Sequence, residues 1–185
     1  HPNYRDYPPS DSGPNPFRVG YAVDVLNLIG IVKAQGGQAG PLGPARPDSI
    51  GLWGHSMGGG IALRVVTISH DVKAAVLYGS MSGDEHQNFE GIKRWSGGRR
   101  GLEEAAVDRP IQDALSPIYH LDRITTPLSI HHGDADEMVP PAWSAQLYEL
   151  LQRAGKPAEY YSYAGLPHTF NGEGDALLIQ RSIDF

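Results

Sequence analysis

The sequence predicts an α/β domain, a mostly parallel sheet with helices on both faces. Three observations predict it. Short apolar runs alternate with segments of helical period, the pattern of strands joined by helical crossovers. A serine flanked by glycines stands between one such run and the helix after it. Loops bearing Asp and His come after two later runs, where the carboxyl edge of a parallel sheet builds sites.

The elements are taken in chain order. Residues 1–16 are rich in Pro and Gly and read as a surface loop. From Phe17 to Lys33 apolar residues recur at helical spacing, with Phe17, Tyr21, Val25, Leu28 and Val32 expected on the buried face. A Gly/Pro connector over 36–47 leads to a short strand, Ser49 to Trp53, expected to be buried. Gly58 to Ser69 is a helix apolar nearly all round, hence an interior one. Ala74 to Tyr78 and Leu128 to His131 are further strands. Ala142 to Ala154 is a helix stopped by Gly155 and Pro157. Glu159 to Tyr163 is a Tyr-rich strand, and a last helix runs from about Gly174 to Ser182. The long connection 80–123 carries several glycines, the cations Lys93, Arg94, Arg99 and Arg100, and a helix-like patch over Leu102–Val107. It reads as a lid or insertion, or as a packed helical crossover.

Composition bounds the function. The 185 residues fit one domain of ~100–200 residues, and a chain of this size buries roughly 70% of its unfolded surface without staples. The net charge of −6 argues against nucleic acid and anionic membranes as partners, because both need a basic face. With no cysteine, a disulfide framework, a thiolate zinc site and a cysteine nucleophile are excluded. No apolar run approaches the ~18 residues of a membrane span.

Gly54-His55-Ser56-Met57-Gly58 fits G-x-S-x-G between an apolar strand and an apolar helix. That turn projects a serine hydroxyl from a strained backbone above the sheet, and the glycines let strand and helix approach. It also leaves the Met57 N–H at a helix N-terminus, where it can donate to a developing oxyanion. A serine needs a base, and the base needs an acid to orient it. The candidates come in the order Ser, Asp, His: Ser56, then Asp134 or Asp136, then His168. Asp134 also reads as a turn former, and Glu137 as a solvated loop charge. His55 reads as a neighbour of the elbow that shapes the acyl pocket, and Trp95 as a pocket-lining aromatic, so both are expected to bind substrate. Trp53 reads as core. His131 and His132 end a strand and read as structural. With Asp134 and Asp136 they could imitate a metal site, but a triad already accounts for Asp136, so no metal is expected. Arg99, Arg100, Glu103 and Glu104 read as solvated charges.

His132-Gly133-Asp134-Ala135-Asp136-Glu137-Met138-Val139-Pro140 matches H-G-x-x-D-x-x-V-P at every fixed position. With the elbow and with His168 in G-x-x-H-x-F, it makes the chain resemble the α/β-hydrolase superfamily, in the branch of prolyl oligopeptidase-like peptidases and their esterase relatives. Asn3-Tyr4-Arg5 resembles that branch's Asn-Tyr-Arg-Gly stretch, with Asp6 where Gly is usual. The resemblance implies an α/β-hydrolase fold whose early strands are missing from this chain. It implies Asp136 as the acid, His168 as the base and Ser56 as the nucleophile of a serine esterase or peptidase that uses no cofactor. The implied partner is a small-molecule ester or peptide substrate. An aminopeptidase or oligopeptidase, or an inactive hydrolase-fold fragment serving as a binding piece, are the alternatives. The chain opens at His1 without a Met, so residues 1–185 are expected to be the C-terminal majority of a single larger hydrolase domain. The second oxyanion donor of such a domain is then expected to precede His1. An open sheet edge would be covered by a second copy or a companion chain.

Overall fold

The computed structural model describes residues 3–185; His1 and Pro2, on which the expectation about the start of the chain falls, lie outside them. Four strands, β1 (Ile50–His55), β2 (Val72–Tyr78), β3 (Leu128–Gly133) and β4 (Ala158–Tyr163), form one sheet in the order β1-β2-β3-β4, and every pair is parallel. The helices are α1 (Val19–Gln35), α2 (Met57–Ile68), α3 (Glu85–Trp95), α4 (Leu102–Ala105), α5 (Arg109–Leu115), α6 (Pro141–Arg153) and α7 (Gly172–Asp184). Every expected strand and helix is present, and the segment 80–123 is a run of short helices, α3 to α5, between β2 and β3. Among the described residues no helix is long and apolar enough to cross a membrane.

Side chains alternate across a strand, so each strand feeds two layers. Ala75 and Leu77 of β2 and Leu128 and Ile130 of β3 face α1, α2 and α6 in the main core. Tyr78 and Tyr163 face the opposite side, where they pack with Phe170 and with Leu178 of α7. β3 is buried along its whole length because it has a neighbour on each side and cover on both faces.

Two expectations about burial are corrected. β1 is an edge strand, not a buried one: it pairs only with β2 among the described residues, and Trp53 is 53% exposed instead of in the core. On α1 the buried face is Tyr21, Ala22, Val25 and Ile29, while Leu28 is exposed. Arg5 anchors the entering loop to α1, with its guanidinium and backbone N–H both donating to Asp24.

The register aligns the strand ends. His55 pairs with Tyr78, Tyr78 with His131, and His131 with Tyr161. All four strands therefore end along one carboxyl edge, and the loops that leave them lie side by side.

Candidate active site

Ser56 leaves β1 and caps α2 with φ 56° and ψ −118°, a positive-φ conformation that a non-glycine residue adopts only when its surroundings force it. The surroundings are visible. The Ser56 N–H donates to the Tyr78 carbonyl at 2.9 Å, and the Ser56 carbonyl accepts from the Met81 N–H at 3.1 Å. Both bonds tie the turn to the end of β2. The glycines make the turn possible: a Cβ on Gly54 would lie 2.3 Å from the Gly58 carbonyl oxygen, and one on Gly59 would lie 2.6 Å from the Ser80 Cβ. Met57 is the first residue of α2, so its N–H belongs to the first turn and has no intrahelical acceptor.

Asp136 lies beyond β3 and His168 beyond β4. The His168 Nδ1–H donates to Asp136 Oδ2 at 2.7 Å. The same oxygen accepts from His132 Nε2 at 3.0 Å, and Oδ1 accepts from the backbone N–H groups of Met138 and Val139, both at 2.8 Å. Burial pushes the Asp136 carboxyl up, but the Val139 amide, the His168 N–H and the Met138 amide outweigh it and hold the group below its ordinary value. Asp136 is thus a fully bonded carboxylate with His168 fixed against it. The rival acid Asp134 is exposed and turned elsewhere, accepting from the Gly165 N–H at 2.6 Å as a loop brace. Glu137 accepts from the His168 backbone N–H at 3.3 Å.

Three residues contribute that sequence alone marks as structural or does not mark. His132 is fully buried; its Nε2–H is shared between Asp136 and the Val139 carbonyl, while Nδ1 accepts from the Ser144 hydroxyl at 2.7 Å. Burial lowers its pKa, so it stands neutral and donates to the Asp136 carboxylate. Its signal is its place at the head of the acid motif. Gly79, with φ 49°, abuts the pair: a Cβ there would lie 3.4 Å from both Asp136 Oδ2 and His168 Nδ1. The third is Arg18, which lines the cavity beside Ser56.

That cavity, about 400 Å³, is lined by Ser56 and Met57 and is mostly apolar, with Met81, Ile92, Trp95 and Trp143 among its walls. The segment 80–123 supplies much of the lining, including Gly91 and the charged Arg100 and Glu104. Trp95 is among the lining residues, 57% exposed at the wall, with the Arg100 guanidinium 5.7 Å from its ring. His55, expected to bind substrate, is not among the lining residues. Its ring stacks on Tyr78 at 4.3 Å and its Nε2–H donates to the His168 carbonyl at 3.0 Å, so it clasps the histidine loop instead of meeting substrate. Burial lowers its pKa too, which keeps it neutral in that bond.

The four residues that could imitate a metal site do not assemble into one. His131 and His132 are consecutive in β3 and point to opposite faces. Among the described residues no group of three His, Cys, Asp or Glu side chains could hold a metal ion.

Comparison with known proteins bears on this site. The model of the prolyl oligopeptidase family matches residues 42–184, which include the elbow and both loops. No curated protein matches the sequence. Among solved structures, a Mycobacterium tuberculosis puromycin-hydrolyzing peptidase is similar at 24% identity and a TM-score of 0.61, over 90% of this chain and 23% of that one. A Pyrococcus horikoshii acylaminoacyl peptidase is similar at 21% identity and a TM-score of 0.65, over 87% of this chain and 25% of its own. A Pyrococcus furiosus esterase is similar at 14% identity and a TM-score of 0.69, over 98% and 67%. At these identities the likeness is one of fold, and the chain spans about a quarter of the length of the two peptidases.

Proposed function

The chain belongs to the prolyl oligopeptidase family, and from that premise we propose that it is a serine hydrolase that cleaves a carboxylic ester, or the amide bond of a small peptide, through an acyl-enzyme on Ser56. The observation that carries the reading is the 2.7 Å bond from His168 Nδ1 to a carboxylate already saturated by other donors, on the loops flanking a strained Ser56. An acid so bonded keeps its charge and fixes the imidazole tautomer, which leaves Nε2 as the basic nitrogen.

In this reading His168 Nε2 takes the Ser56 proton as Oγ attacks the acyl carbon. The oxyanion that forms receives the Met57 N–H. When the carbon–oxygen bond to the leaving alcohol breaks, the same proton passes from Nε2 to that oxygen. Water then attacks the acyl carbon and gives a proton to Nε2. Collapse of this second intermediate returns the proton to Ser56 Oγ and releases the carboxylic acid. No cofactor enters any step. Asp136 keeps the Nδ1 proton facing it and balances the imidazolium. The apolar cavity holds the group attached to the scissile carbonyl, and Trp95 and Trp143 favour a bulky one.

The peptidase variant of this reading is supported by the two similar structures whose names call them peptidases. Esters and amides share every residue named above, so kcat/KM on a p-nitrophenyl ester against an aminoacyl p-nitroanilide ranks the two. The core claim is tested with a fluorophosphonate probe and peptide mapping. The expected adduct is on Ser56 and vanishes in Ser56→Ala. Folded wild-type protein that carries no adduct there overturns the claim and leaves the binding-piece alternative.

A further inference from the structure

We propose that Arg18 makes the cavity an anion-recognising site, so that the substrate carries a free carboxylate on the group seated there; the inference rests on Ser56 being the nucleophile. It starts from a charge count. Arg18, Arg64 of α2 and Glu85 of α3 form one cluster. Arg18 Nη2 donates to Glu85 Oε2 at 2.5 Å, and Arg64 Nη2 donates to Glu85 Oε1. Two guanidinium groups share one carboxylate, so one positive charge is left over. Arg64 is buried and its other bond goes to the Leu115 carbonyl at 2.7 Å, which leaves it no free edge toward the cavity. Asp84, the next acid along the chain, is held by Arg109 at 3.1 Å and caps α3.

The surplus charge therefore shows itself at Arg18. This residue lines the cavity that holds Ser56, and also the narrow cleft behind it that reaches Arg64 and Glu85. Among the described residues its side chain spends a single N–H donor, on Glu85, out of five. The guanidinium lies 5.3 Å above the Phe89 ring, which fixes its plane. The other charges at the cavity wall, Arg100 and Glu104, have opposite signs and cancel. The wall is thus net positive in a chain whose overall charge is −6.

The backbone supports the same view. Phe17 and Arg18 are consecutive and both left-handed, with φ 53° and 56°, and neither is glycine. Strain of this kind persists where the fold over-determines a position, and it concentrates at functional sites. A planar, always-charged fork with open donors matches a carboxylate in geometry as well as in sign. Because Ser56 and Arg18 share one cavity of about 400 Å³, that carboxylate sits within a few bonds of the scissile carbonyl.

The experiment compares two five-carbon acyl esters, mono-p-nitrophenyl glutarate and p-nitrophenyl pentanoate, which differ by a terminal carboxylate. The wild-type protein is expected to favour the glutarate in kcat/KM by roughly tenfold or more, the scale of a charge-assisted bond. In Arg18→Gln the preference falls toward unity, and Arg18→Lys restores part of it. A wild-type preference of one or below overturns the inference without any variant, as does an unchanged preference in folded Arg18→Gln. Fluorophosphonate labelling of Ser56 in every sample separates this failure from failure of the nucleophile assignment, which would abolish labelling in the wild type as well.

Discussion

Lowering the pH should destabilise this protein well before its carboxylates protonate, and of the three histidines whose pKa burial lowers, His55, His131 and His132, His131 makes a contribution that can be worked out. Its ring is fully buried on the α7 side of β3. Ser129 Oγ donates to Glu159 Oε1 at 2.9 Å, so it accepts from His131 Nε2–H at 2.8 Å. The Tyr163 hydroxyl at 2.8 Å then donates to Nδ1. Both nitrogens are satisfied in the neutral ring, and a second proton on Nδ1 meets a hydroxyl already pointing at it. Burial, and then the Arg181 guanidinium that also lies over Tyr161 and Tyr163, push the pKa down to about 4. Among the described residues Glu159 is the one acid bonded to this group, and it reaches the ring through Ser129.

An unfolded histidine titrates near ~6.5. The folded pKa is depressed, so between these values the unfolded chain binds more protons and stability rises with pH. The contribution is complete above ~6.5 and is lost as pH falls toward about 4. Two-state linkage gives a loss of about 2 kcal/mol between pH 7 and pH 5. With a urea slope of ~2 kcal/mol/M for a domain of this size, the His131 share alone lowers the unfolding midpoint by about 1 M. Urea titrations monitored by tryptophan fluorescence at both pH values, on wild type and on His131→Asn, read the effect. The variant is less stable at pH 7 but loses correspondingly less on acidification. Equal losses in the two proteins would refute the assignment of the charge penalty to His131.

The site yields three more expected outcomes. Asp136→Asn should lower kcat on a p-nitrophenyl ester by at least ~10³, because the His168 tautomer is no longer held; Asp134→Asn should stay within about threefold, since it loses only a loop brace. If the two residues exchange these effects, the acid has been misassigned. His132→Ala removes one of four donors to the Asp136 carboxylate and should cost about tenfold in kcat with little change in KM; an unchanged kcat in folded protein removes His132 from the positioning role. Gly54→Ala should yield no soluble folded protein, because its Cβ would lie 2.3 Å from a backbone oxygen that cannot move independently; circular dichroism of the soluble fraction checks this.

The turn at Ser56 and the loops bearing Asp136 and His168 are legible in the sequence because each is a short local pattern placed after a strand, and the parallel register brings such loops together whatever lies between them. The features that sequence misplaces depend on what the chain meets elsewhere. Ile50 to Trp53 is apolar enough for an interior strand, and periodicity carries no information on whether a neighbour is present. Helix α1 carries apolar residues around much of its circumference, so two stripes fit the same spacing; contact with α2 selects Tyr21, Val25 and Ile29 over Leu28. His55 looks like a substrate residue because it sits inside the elbow motif, yet its bond is to the backbone of a residue 113 positions away. Arg18 gives no signal of any kind: its role depends on Glu85, 67 positions away, and on a backbone conformation that residue type does not announce.

The two halves of the site rest on different parts of the fold, and that has a chemical consequence. Ser56, Asp136 and His168 are fixed by strand ends, by bonds to Tyr78 and His132 in the sheet, and by backbone amides of the loop after β3. Much of the cavity wall is supplied by the segment between β2 and β3 and by Arg18 ahead of α1. Glu85 joins the two because it sits at the start of α3 and holds both Arg18 and Arg64, the latter on the helix that Ser56 caps. A change in α3 beyond Glu85, at Ile92 or Trp95, therefore alters what the cavity accepts without touching a bond that orients the His168–Asp136 pair. A change at Glu85 alters both, since it frees two guanidinium groups in a buried place and loosens the helix beneath the serine. Substrate preference should accordingly vary along the outer turns of α3, and reactivity toward a fluorophosphonate, which needs only the serine and its base, should vary at Glu85 and not beyond it.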